Sequence, residues 1–76
     1  PKKKKLSWNE ERELEGITDA IDAAEQEVAR LEAELADPSV YATRGAEVPA
    51  LVAALEAAKA DLAGRMARWE ELESKR

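Results

Sequence analysis

The chain contains no cysteine and no histidine. Without cysteine there is neither a disulfide nor a thiolate; without histidine the usual zinc sites and every Ser-His or Cys-His nucleophile go as well. No catalytic domain and no metal site are expected. Aromatic residues reach only 4% of the chain, with three glycines and three prolines. No apolar stretch approaches the roughly 20 residues that span a bilayer, and no signal-peptide core is present. A cytoplasmic location with no membrane partner is the expectation.

What is present is alanine, leucine and charge. Charged residues make up 38% of the 76, with a net charge of -5, the composition of long helices or a coiled coil. A chain of this size makes at most one small domain. It starts with Pro1 and four lysines, Lys2, Lys3, Lys4 and Lys5, which read as the end of a charged linker on a piece of a larger protein. The expected layout is a basic linker over residues 1–6 and a hairpin over 7–76.

Ser7 is followed three residues later by Glu10, a capping box that should start a helix at Trp8. The apolar positions Leu14, Ile17, Ile21, Ala24, Val28, Leu31 and Leu35 then recur at alternating spacings of 3 and 4, an unbroken heptad seam. Gly16, with Thr18 as a second cap, allows a bend or a short first helix without shifting the seam. The first helix should cover residues 8–36 and stop at Asp37-Pro38, since proline cannot continue the ladder and restricts the residue before it. Asp37 can cap a short turn with Pro38 at its first position. The turn and loop take residues 37–45, and a second helix runs over 46–75 with Pro49 in its first turn.

The apolar stripe of that second helix is Val48, Leu51 or Val52, Leu55, Ala58, Leu62, Met66, Trp69 and Leu72. Each helix is about 29 residues, or about 43 Å long, so the expected fold is all-α: a two-helix antiparallel coiled-coil hairpin. Pairing Leu35 with Val48, Leu31 with Val52, Val28 with Leu55, Ile21 with Leu62, Ile17 with Met66 and Leu14 with Trp69 makes the residue numbers add to one constant. This register sets Ala24 opposite Lys59, whose stem can lie along the seam. Val40 and Tyr41 would close the loop end, and Trp8 with Trp69 and Leu72 the base. Asp61 with Arg65 and Glu71 with Lys75 are candidate i,i+4 pairs.

The carboxylates lie along the polar sides of the helices, and a two-helix hairpin offers no pocket for a general acid/base pair. Trp8 and Trp69 could stack on nucleobases, or could pack against the base of the hairpin. The distribution of charge is more telling than its total. Residues 8–37 hold eleven acids and only Arg12 and Arg30, whereas the hairpin brings Lys2, Lys3, Lys4 and Lys5 beside Lys75 and Arg76, with Arg12, Arg65 and Arg68 close by. Such a cluster can neutralise phosphates; a lysine run ahead of a cap is also the pattern of a soluble linker.

The segments "KKLSWNEERELE", "LADPSVY" and "RWEELE", in this order, resemble the C-terminal coiled-coil domain of Uup-type ATPases of the ABC-F family. Lys4, Lys5, Leu6, Ser7, Trp8, Arg12, Glu13, Leu14, Asp37, Pro38, Tyr41, Arg68, Trp69, Glu70, Leu72 and Glu73 fall on that pattern. Two departures stand out: Trp8 replaces a more usual tyrosine, and Gly16-Ile17-Thr18 stands where a leucine-proline pair is more common. The resemblance implies a two-helix coiled coil appended to a cytoplasmic ATPase linked to the ribosome, translation and DNA binding. ATP and magnesium would be handled elsewhere in the parent, because this chain carries no phosphate loop. Two expectations follow for partners. In one, the basic end contacts DNA or ribosomal RNA; in the other, the seam and acidic faces serve dimerisation or docking on the parent's ATPase domains, the isolated chain being a monomer or a weak dimer.

Overall fold

A computed structural model describes residues 6–76, so Lys2, Lys3, Lys4 and Lys5 lie outside the described residues. The capping box forms: the Ser7 amide donates to Glu10 Oε1 at 3.0 Å and the Glu10 amide to Ser7 Oγ at 3.2 Å. Helix α1 runs from Trp8 to Ala36 without interruption. Thr18 therefore caps nothing, and no separate short first helix exists. A helix-internal glycine costs about 1 kcal/mol, whereas burying the neighbouring Ile17, 8% exposed, yields about 1.5–3 kcal/mol. The seam outweighs the glycine.

At the far end Asp37 leaves the helical region and caps α2, Pro38–Thr43, accepting from the Ser39 amide at 2.9 Å. The Tyr41 hydroxyl donates to the Leu35 carbonyl at 2.7 Å, filling one of the acceptors that every helix C-terminus leaves open. Val40 is buried, so it closes the loop end; the Tyr41 ring stays exposed and acts through its hydroxyl.

A 3-10 turn, Gly45–Glu47, precedes α3, Val48–Glu73. The second helix thus begins two residues later and ends two residues earlier than residues 46–75. Its start is set by Pro49, which sits where a missing amide costs nothing. Its end is set by Ser74, whose hydroxyl bonds back to the Glu71 carbonyl at 2.7 Å, while the Lys75 and Arg76 amides bond three residues back and tighten the last turn.

The helices α1 and α3 pack antiparallel into a rod of 60 × 18 × 15 Å, an all-α hairpin with no strand among the described residues. Ile17, Ala24 and Leu31 are the buried residues of α1, one heptad apart, while Leu14, Ile21, Val28 and Leu35 are half-buried. A single partner helix covers one row fully and leaves the other at the rim. On α3 the inward positions are Val48, Leu51, Leu55, Ala58, Leu62, Trp69 and Leu72. Two members of the expected stripe are not among them: Val52 is 45% exposed and Met66 41%. Strict alternation of 3 and 4 from Leu62 reaches Arg65 before Trp69, so Met66 falls one step outside the seam that α1 imposes.

The ion pairs support the register, since Glu13–Arg68 and Glu10–Lys75 fall on either side of it. Lys59 does not lie in the seam opposite Ala24; Ala58 is half-buried there and Lys59 reaches out to Glu32 at 3.9 Å. Asp61 and Arg65 pair at 2.9 Å, whereas Glu71 pairs with Arg68 and not with Lys75.

Candidate nucleic-acid interface at the base of the hairpin

The seam position one step before Leu14 is Glu10, not Trp8. Glu10 is half-buried and holds two elements together: Oε1 completes the capping box and Oε2 accepts from Lys75 Nζ at 2.6 Å. The Lys75 bond, followed by the Ser7 amide, pulls its carboxyl from 4.5 to about 2. Trp8 lies off the seam and is 69% exposed. The aromatic plug expected of Trp8 and Trp69 is therefore not built; Trp69 is half-buried, and the Glu10–Lys75 ion pair joins the two ends of the hairpin at the base.

Arg68 is the second tie. Its Nε and Nη2 donate to the two oxygens of Glu13 at 2.7 and 2.8 Å, and Nη1 donates to Glu71 at 2.7 Å. This bidentate grip lowers the Glu13 carboxyl and raises Arg68 further above its ordinary range. Arg65 is held by Asp61, and Arg76 by Glu73 at 3.0 Å. Arg12 forms no ion pair among the described residues; its guanidinium stands 5.2 Å from the Trp8 ring centroid.

The base is consequently less basic than a count of its cations implies. Over residues 6–16 and 64–76, Arg12, Arg65, Arg68, Lys75 and Arg76 face Glu10, Glu11, Glu13, Glu15, Glu70, Glu71 and Glu73. Four of the five cations are spent on carboxylates, with the lysine run outside the described residues. Sequence reasoning missed that Glu10 and Glu13 tie α1 to α3. The signal was present, since Glu10 continues the seam one step before Leu14 and Glu13 stands beside it, but other glutamates next to the seam look the same in sequence.

The Glu10 tie has a testable acid signature. The folded carboxyl is held below the unfolded value, so its contribution is complete above that value and is lost as pH falls toward about 2. Thermal stability should decline between about pH 5 and pH 2, and Glu10→Gln should flatten that decline. Equal acid slopes for both chains would remove Glu10 from the tie.

No cluster of carboxylates among the described residues is placed to hold a metal ion, and no helix is long and apolar enough to cross a membrane. The family model "ABC transporter C-terminal domain" matches residues 5–74. Two relatives from Haemophilus influenzae, "ATP-binding protein Uup-like" and "ATP-binding protein Uup", are each 38% identical over 76 residues, covering all of this chain. The chain spans only 17% and 12% of their respective lengths. No solved structure matches significantly. With the Asp37-Pro38 turn, the capped α1 and the "RWEELE" segment of α3 all inside the matched region, the chain belongs to the ABC transporter C-terminal domain family, and is of the Uup type.

Proposed function

We propose that this chain is a non-catalytic accessory domain of a cytoplasmic ABC-F ATP-binding protein, contacting the phosphates of DNA or ribosomal RNA through the base of the hairpin. ATP and magnesium belong to the parent's other domains. The supporting observation is the division of labour among the cations. Arg68 and Lys75 are held by glutamates of α1, and Arg65 and Arg76 by Asp61 and Glu73 nearby in the chain, which leaves Arg12 as the cation of the described base that is free to meet a polyanion, with the lysine run of residues 2–5 just ahead of the Ser7 cap in sequence. Contacts of this kind position the domain without reading sequence.

Affinity for duplex DNA and for ribosomal RNA, titrated against salt, tests this. Each phosphate neutralised on duplex contributes about 0.9 to the slope of log K against log salt, so replacing Lys2, Lys3, Lys4 and Lys5 by alanine should flatten the slope by about 3.6. Arg65→Ala should change it little. An unchanged slope in the lysine variant, or no binding at low salt, overturns the reading.

One observation favours docking on the parent's ATPase domains instead: an open apolar groove lined by Thr18, Ile21, Met66 and Trp69, on a hairpin whose first helix is strongly acidic. A chain that binds the ATPase domains, loses that binding on Met66→Glu, and has no measurable affinity for either nucleic acid would establish this second reading.

A further inference from the structure

Trp8 is the largest apolar side chain that the fold does not use. In a domain this small, with few residues fully buried, an indole 69% exposed contributes little to stability where it stands. Its neighbourhood is specific. Arg12, one turn along α1, has Glu15 within helical reach, yet its guanidinium lies over the Trp8 ring at 5.2 Å and pairs with no carboxylate among the described residues. The contact places a cation over one face of the ring and leaves most of the indole surface open. A positive charge and a flat aromatic surface are thus presented together, directly beside the residues that follow the lysine run.

We propose that Trp8, backed by Arg12, is a stacking platform for an unpaired nucleobase, so that the preferred ligand is single-stranded nucleic acid, or a duplex with an unpaired segment, over a continuous duplex. The inference rests on the phosphate contacts proposed above and adds the class of nucleic acid. Stacking suits a site with no groove-reading element, because every base offers a π-face and no hydrogen-bond pattern is needed. A continuous duplex keeps its bases stacked on each other and cannot supply one without unpairing.

The test uses the 76-residue chain carrying Trp69→Phe, so that Trp8 is its sole tryptophan, with circular dichroism to confirm the helical content. An oligothymidylate and a blunt duplex of equal length are titrated at low salt, following Trp8 fluorescence and the anisotropy of labelled oligonucleotide. The expected result is quenching of Trp8 by the single strand and tighter binding of it than of the duplex. Trp8→Ala should weaken single-strand binding by about five-fold or more and leave duplex binding unchanged, while Trp8→Tyr should restore most of the loss. Equal binding of both ligands, insensitive to Trp8→Ala, overturns the platform and leaves the phosphate reading standing. No binding of either overturns both. Quenching by the parent's ATPase domains, without quenching by oligothymidylate, reassigns Trp8 to a protein contact.

Discussion

Leu72→Ala should lower the midpoint of thermal unfolding by about 10–30 °C. Leu72 is 0% exposed, the most completely buried side chain of the hairpin, although it stands within a few residues of the end of α3. Truncating a buried leucine costs about 2–5 kcal/mol in lost transfer energy and residual cavity. In a domain of this size 1 kcal/mol moves the midpoint by about 4–8 °C, and total stability is about 4–11 kcal/mol. One truncation near the chain end therefore removes a large share of the whole. The matched control is Met66→Ala. Apolar pattern alone assigns Met66 to the seam, where its loss would cost as much; at 41% exposure it should cost less than about 1 kcal/mol. Denaturation curves for the two variants side by side decide the point, and comparable losses would mean that the seam passes through Met66 after all.

The opposite sign is expected at the glycines. Gly16 and Gly64 both lie inside helices and line one shallow groove together with Ala20 and Ala60. Small residues facing each other across a helix pair ordinarily signal close backbone approach. Here a methyl added at either position would meet nothing within 4 Å, and neither glycine has a positive φ. Nothing in the packing opposes a side chain, so the gain from helix propensity is realised in full. Gly16→Ala with Gly64→Ala should stabilise the hairpin by about 1–2 kcal/mol together, raising the midpoint by about 5–15 °C. The two positions are on different helices and should act almost additively, each single variant giving about half. A loss of stability in either single variant would show that the groove closes in solution.

Much of the hairpin can be read from the residues in order. Ser7 and Glu10 mark the start of α1, Asp37-Pro38 its end, and the regular recurrence from Leu14 to Leu35 its buried stripe. These are local features, since a cap, a proline and a period of 3.5 act within one or two turns of the chain. Gly16 is the instructive failure among them. As a local signal it permits a break, but the seam on both sides belongs to one partner helix, and that shared burial carries α1 through.

The base of the hairpin was less legible. Trp8 and Met66 are apolar and near the stripe, so their sequence context points to the core; both are exposed. Lys75 and Arg68 are basic and fall at the hairpin end where the lysine run enters, so sequence alone points to phosphate contacts; both are engaged by carboxylates of α1. In each case hydrophobicity or charge was visible while direction was not.

The sequence by itself determined that this chain is two long helices joined by a capped Asp-Pro turn, and that no cysteine- or histidine-based chemistry resides in it. Only the tertiary structure decided which side chains on those helices meet. It set the rotation of α3 that buries Leu72 and excludes Met66, and it turned Glu10 and Glu13 from surface acids into ties between the helices. The reason is geometric: helix periodicity specifies a stripe to within about one residue, while each residue turns its side chain by about 100°. A step of one residue separates a seam position from an exposed one, and only the partner helix selects between them.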